Sequence, residues 1–295
     1  MSGERCPHRA TAPSSRAADN STPLFLGRFG TPSAIQFRVL NYDIDVSDVD
    51  YGLALSDLAA EGDLLDALVS AEDDWTRPTP AVGWTIAHQI AHLAAADANV
   101  LIAVRTPDAF GAVSKQAEAG GSRYADDIAA AAAAQPRAAL LEQWRSGRSE
   151  LVAALRAMPR DSEFPWFGSA VTPALMAPLR LMETWAHGQD VFDTVGVAHP
   201  ATTRLRTVAL LGVKGVGLSF AAAQLTPPTR QFRVELTGPD GQAWTWGARD
   251  ADQRVRGSAR DFCLRVTHRR PLSRTDLTAT GQDAETWLEI ARVFL

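Results

Sequence analysis

Apolar residues recur every three or four positions along most of this chain, and every second position only near its end. Leu55, Leu58, Leu64, Leu65 and Leu68 predict a helix over about 52–75. Pro78-Thr79-Pro80 and Gly83 then break the chain. Trp84, Ile90, Leu93, Val100 and Leu101 predict a second helix over about 84–105, with Thr85 as its N-cap. Residues 106–122, rich in Gly, Ser and Pro, read as a loop placed to lie over a cleft. An Ala-rich helix follows from Arg123 to Ala134 and stops near Pro136. Leu140, Leu141, Trp144, Leu151 and Leu155 mark a longer one at about 137–158. Pro159 to Pro173 is irregular and carries the aromatic pair Trp166 and Phe167. Thr172 with Pro173 just inside is a good helix start. That helix runs to Gly196, with Pro178 as a kink or a later start. One more spans about 203–224 in spite of Gly212, Gly215 and Gly217, which weaken a helix but permit close packing. Five or six helices with modest connections predict an antiparallel bundle.

The period changes after Pro227-Pro228. Residues 231–237 alternate strictly, Gly238-Pro239-Asp240-Gly241 is a turn, and residues 242–246 alternate again, which is a hairpin signature. A third strand through Val255 ends at Gly257. A helix follows over Ser258 to Thr267, then a strand at Leu277 to Thr280 and a last helix from Asp283 to Leu295. The expected fold is mainly α with a small α+β part: an irregular or disordered extension over 1–50, a four-helix-type bundle over 51–226, and an α+β segment over 227–295. The last is too small for a full core of its own and should pack on the bundle. Residues 1–22 lack the apolar core of a signal peptide and read as disordered. Phe25-Leu26-Gly27 and Phe37 to Leu40 are weak candidates for short strands.

Composition narrows the function classes. The 295 residues are 46% hydrophobic, with net charge −5 and a pI near 5.7, so nothing favours nucleic-acid binding. No apolar run reaches the length of a membrane span. Two cysteines, Cys6 and Cys263, make no disulfide framework, and a cytoplasmic chain is the simplest expectation.

The candidate chemistry sits in two helical stretches. Leu181 to Asp190 holds Glu183 and His187 four residues apart, with Asp190 three further on. Residues four apart on a helix lie about 40° from each other, so the three share a face. Gly83 to Leu93 puts His88 and His92 on one face of another helix. Packed together, the two could offer a His/Glu/His set for a divalent ion. Such pairs also occur as ordinary helix-face neighbours. Against that, Glu183 and His187 stand among Leu179, Met182, Trp185 and Val191, where a charge is costly without a partner or a metal. Spacing does not rank His88 against His92. Trp84 and Trp185 read as core. Asp190 reads either as an acceptor behind a ligand imidazole or as a solvated residue near the helix end.

Trp84-Thr-Ile-Ala-His-Gln-Ile-Ala-His92-Leu93, followed by Glu183-Thr-Trp-Ala-His187-Gly-Gln-Asp190, resembles the mycothiol-dependent maleylpyruvate isomerase family, a branch of the DinB-like metal-binding bundles. The resemblance covers about residues 52–225. The motifs of the last segment, Val234 to Gly241, Trp244 to Gly247 and Asp261 to Cys263, resemble a small sterol-carrier-like domain. The resemblance implies a site of His92, Glu183 and His187 for zinc or another divalent metal. It also implies a low-molecular-weight thiol such as mycothiol as cofactor, and isomerase or S-transferase chemistry on a small, carboxylate-bearing electrophile. His88 is then a candidate proton donor facing the metal, unless it lies on the helix surface. Arg180 and Asp190 are candidates beside the reaction, and Arg123 and Trp166 are candidates for cofactor contact. Arg269 and Arg270 are weaker candidates in the last segment. A hydrolase using metal-activated water and a non-enzymatic carrier of apolar ligands are the alternatives, in a monomer or homodimer.

Overall fold

The structure, a computed structural model, describes Ser47 and residues 49–293. The readings made for residues 1–22, for the candidate strands at 25–27 and 37–40, and for the final two positions lie outside the described residues. Four long helices form an antiparallel bundle: α1 (Tyr51–Ala71), α2 (Ile86–Arg105), α5 (Arg137–Ala157) and α6 (Pro173–Val195). In it α1 packs on α5 and α6, and α2 packs on α5 and α6. Local chemistry sets the ends. Asp50 caps α1 by accepting from the Leu53 N–H at 3.0 Å. Thr172 caps α6 with Pro173 at its first position, and Gly196 ends it at φ +81°, a conformation open to glycine. The helix runs through Pro178 without a new start.

Three expectations need correction. Residues 106–122 are not a loop. They hold α3 (Pro107–Gly120) and a 3₁₀ turn, followed by α4 (Tyr124–Ala133). Pro107 is a favoured opening residue, and Phe110 and Ala117, two turns apart, are the buried positions. So few apolar residues gave a weak periodic signal. The irregular stretch 159–173 contains a short hairpin, β1 (Phe164–Trp166) and β2 (Ser169–Val171), packed on α2 and α3. The helix expected over 203–224 is two, α7 (Leu205–Lys214) and α8 (Val216–Ala222), bent by 56° around Gly215. Among the described residues no single helix is long and apolar enough to cross a membrane.

The last segment follows the sequence reading closely. A four-stranded sheet has the order β4-β3-β5-β6, made of β3 (Phe232–Thr237), β4 (Ala243–Trp246), β5 (Gln253–Ser258) and β6 (Thr278–Thr280). β3 and β5 run parallel, and the other neighbours are antiparallel. Val234, Leu236, Trp244 and Val255 are buried, on the side covered by α9 (Ala259–Val266) and α10 (Gln282–Ile290). Phe262 and Trp287 meet there edge to face. This core is continuous with that of α6 and α7. Gly212 on α7 makes the junction. A Cβ there would stand 2.9 Å from Phe262 and 3.0 Å from Val266.

Two buried ionic groups fasten the bundle's outer seams. Arg145 and Arg148 of α5 both bind Asp66 of α1. Glu61 of α1 accepts from His199 at 2.7 Å and from Arg204 at 2.6 Å, tying down the connection after α6.

Replacing Gly212 by Leu should overpack the α7–α9 contact and lower the denaturant-derived stability by about 1–3 kcal/mol; an unchanged midpoint would show that the junction yields. Hydrogen bonds from Arg145 hold the Asp66 carboxyl at about 2, below its usual range. A depressed carboxylate stabilises the fold above its unfolded value, about 4, and that part is lost as pH falls toward about 2. Asp66→Asn should therefore lower stability at neutral pH and flatten the acid limb over that window in melts taken across pH.

Candidate metal centre

The α2–α6 seam brings the two histidine stretches together. His92 Nε2 lies 3.2 Å from Glu183 Oε2, and His187 Nε2 lies 3.4 Å from the same oxygen. One ligand atom from each residue falls within 4.8 Å of the others, and all three side chains are partly buried. The imidazoles of His92 and His187 sit 4.4 Å apart, centroid to centroid. Two imidazole nitrogens and a carboxylate oxygen are a normal donor set for a catalytic divalent ion with a coordination position left open.

The states of His187 and Glu183 fit that use. His187 Nδ1 is 2.6 Å from Gln89 Oε1, so Nδ1–H donates to the amide oxygen and leaves the Nε2 lone pair facing Glu183. Burial, and then the neighbouring His92, pull the His187 pKa down to about 3, which keeps the ring neutral. Burial alone would raise Glu183, but the two histidines beside it outweigh that and hold the carboxyl well below its usual range. Neutral imidazoles and an ionised carboxylate are the forms that bind metal.

The donors stand in the wall of a cavity of about 410 Å³. Trp84, Trp166, Phe167 and Tyr124 supply its aromatic surface, and Met176, Leu179 and Met182 much of the rest. Trp84 stacks on His187 at 5.7 Å and 20°, and its indole N–H donates to Asp126 of α4 at 2.8 Å. Trp84 is thus a wall of the site, not a core residue as its sequence context implied. Of the stretch read as a covering loop, Ser122 alone lines the cavity; Tyr124, Ala125 and Ile128, which also line it, belong to α4, where the sequence had placed a helix.

The other sequence candidates divide. Arg180 and Trp166 line the cavity. Trp166 stacks on Phe110 at 5.5 Å. Arg180 Nε donates to Asp97 at 3.0 Å in a fully buried pair. Asp190 is buried rather than solvated, but it does not receive the ligand imidazole; Gln89 does. Asp190 is bonded through both oxygens to Arg269, while the Gln89 amide nitrogen donates to the Thr79 hydroxyl at 2.9 Å. His88 is drawn away from the proton-donor role: its Nδ1 accepts from the Thr85 N–H at 3.3 Å and lies 2.8 Å from the Thr85 hydroxyl, capping α2. It is absent from the cavity wall. Arg123 is 80% exposed beside Asp127, while its neighbours Ser122 and Tyr124 face the cavity. Sequence reading missed Gln89. Its position three residues before His92 on α2, one turn away, was the available signal.

Comparison with known proteins follows the same lines. Residues 58–192 match the family described as the mycothiol maleylpyruvate isomerase N-terminal domain. That match runs from α1 through the second ligand pair. The chain belongs to the mycothiol-dependent maleylpyruvate isomerase family. Its fold is that of the family: the crystal structure of the mycothiol-dependent maleylpyruvate isomerase aligns with a TM-score of 0.53 at 17% identity, over 79% of this chain and 94% of that one. A histidine-to-alanine mutant of that enzyme aligns equally well. The uncharacterized protein Rv0036c of Mycobacterium tuberculosis is 49% identical over 247 residues, 83% of this chain and 96% of its own length. Residues 228–280 match a second family, described as wyosine base formation. The sterol-carrier likeness expected for that segment rests on its motifs alone.

Gln89→Leu should remove the acceptor that fixes the His187 tautomer and weaken divalent-metal affinity about 10- to 100-fold in a chelator competition. An affinity equal to that of the wild type would deny Gln89 this role.

Proposed function

We propose that the protein is a divalent-metal enzyme, with zinc as the metal, that activates a low-molecular-weight thiol such as mycothiol for addition to an electrophilic small molecule. Family membership supports thiol-dependent isomerase chemistry at that coarse level. The observation that carries the finer reading is the convergence of His92, Glu183 and His187 on one point of an aromatic cavity wall. A bound divalent ion would supply Lewis acidity there and keep a thiol ionised at neutral pH.

The chain's own residues do the remaining work. Gln89 holds His187 in the tautomer that presents Nε2. Thr79 accepts from the Gln89 amide nitrogen at 2.9 Å and so helps to orient Gln89, while Arg269 holds the nearby Asp190. Trp84 covers His187 and His92 on the cavity side and limits water around the donors. The aromatic wall of Trp166, Phe167 and Tyr124 offers flat surface to a substrate. The chemistry can end in isomerisation, when the sulfur leaves after bond rotation, or in transfer, when the adduct is kept. The requirement for a thiol separates both from a hydrolase. We place the activity in the cytoplasm, where low-molecular-weight thiols are kept reduced.

Purified wild-type protein should carry about one zinc per chain by elemental analysis, the number of complete donor sets found. Glu183→Ala/His187→Ala, shown folded by circular dichroism, should carry almost none. Full occupancy in the double variant, or a folded wild type that takes up no zinc, would sink the assignment.

A further inference from the structure

Resting on the thiol-addition reading above, we infer that Arg180 is a catalytic residue of that reaction: its terminal N–H groups take the oxygen conjugated with the electrophile's double bond and hold the negative charge that sulfur addition places there. The hydrogen bonds of the arginines point to it. Where a guanidinium acts as a tie in this molecule, it spends two N–H groups on one carboxylate. Arg145 donates to Asp66 through Nε and Nη2, at 2.9 and 2.6 Å, and Arg269 donates to Asp190 through the same pair, at 3.3 and 2.8 Å. Arg180 differs. It is only 3% exposed, yet it meets the buried Asp97 through Nε alone, at 3.0 Å. Its Nη2 is buried with no partner, a costly state for a charged donor, and the end-on fork of Nη1 and Nη2 is left unspent.

The position of that fork suits the role. Arg180 lines the cavity that holds the metal donors. On α6 it precedes Glu183 by three residues and His187 by seven, so the three share a face, with Arg180 about 4.5 Å along the axis from Glu183. Asp97, on α2 beside it, keeps the guanidinium in place and balances its charge while no ligand is bound. Arg269, the other cavity arginine, has Nε and Nη2 on Asp190 and Nη1 on the Thr267 carbonyl. The reaction balances without a redox partner. The ionised thiol forms a C–S bond to the β carbon as the C=C π bond breaks, and the electron pair moves onto the conjugated oxygen. In isomerisation the new single bond rotates, the pair returns, the double bond re-forms and the sulfur leaves. In transfer the α carbon takes up the proton that the thiol lost. Either way the oxygen is more negative midway than at the start, so N–H groups fixed on it act mainly on the barrier.

Maleate, whose carboxylates are conjugated with a cis double bond, reports the binding step when no thiol is present. Titration calorimetry on zinc-loaded protein should show maleate bound by the wild type and weakened about 10- to 100-fold in Arg180→Lys, the scale of lost charge-assisted hydrogen bonds. Lysine keeps a cation for Asp97 but has no fork, so a merely structural tie predicts wild-type affinity in that variant. Asp97→Leu/Arg180→Met, which removes both charges at once and leaves neither stranded, should show at least the same loss and serves if the lysine variant fails to fold. Maleate affinity unchanged in the folded variants would overturn the inference, as would a zinc-loaded wild type that binds no maleate. Mycothiol-dependent conversion of maleylpyruvate then reads the barrier. In Arg180→Lys kcat should fall about 100-fold, with KM changed less. An unchanged kcat would overturn the inference and leave the thiol chemistry standing. Maleate binding that depends on Arg180, with no mycothiol consumed by the wild type, would sink the thiol chemistry and the catalytic role together and leave Arg180 as a carboxylate-binding residue.

Discussion

Everything in this molecule depends on how a carboxylate is kept ionised between two helices. Glu183 lies in the α2–α6 seam, where burial opposes its charge, with His92 Nε2 at 3.2 Å on one side and His187 on the other. Without those partners the carboxyl would take up a proton or the seam would open. That contact joins α2 to α6 across the seam. Leu181 and Trp185 of α6 point into the core, and Asp190 stands where Arg269 reaches it.

The apparatus behind the donors is as ordered as the donors themselves. Gln89 joins α2 to His187 of α6, and Asp190 joins α6 to Arg269 in the segment after α9, with each of these side chains buried or partly buried. Burial pushes the carboxyl of Asp97 up, and the adjacent Arg180 pulls against it. The cavity wall therefore holds charged groups whose charges are already matched from behind, and what faces the ligand is chiefly aromatic.

Much of this was readable in the sequence where a strong period was present. The leucine spacing of α1 and α5 located both, and Thr85, Thr172, Pro173 and Gly196 marked helix ends by their cap chemistry. The alternation of residues 231–237 and 242–246 around the Gly238–Gly241 turn gave the hairpin. The metal donors followed from Glu183 and His187 at i,i+4, with the choice of His92 over His88 carried by family resemblance; geometry agrees, since His88 caps its own helix. What stayed hidden depends on pairing across the chain. Helix α3 buries only two residues and so lacks a stripe. Arg123 reads like any loop arginine until its exposure is known. Trp84 has the composition of a core residue and the position of a wall. Gln89 looked like a neutral surface amide, because its partners lie 98 residues downstream and on another helix.

The contribution of Arg269 and Val293 to the cavity wall has a consequence for how the protein comes into being. Synthesis runs from the N-terminus, and domains form as they emerge. Residues through Val195 already contain every metal donor, so a nascent bundle has its ligands while some hundred residues are still unmade. In that interval Asp190 lacks its guanidinium and the cavity lacks one side. The donor triad of His92, Glu183 and His187 is thus complete before the chain is, whereas the cavity beside it gains its last walls only with the final segment, so that the order of translation would separate capture of the proposed ion from completion of the chamber.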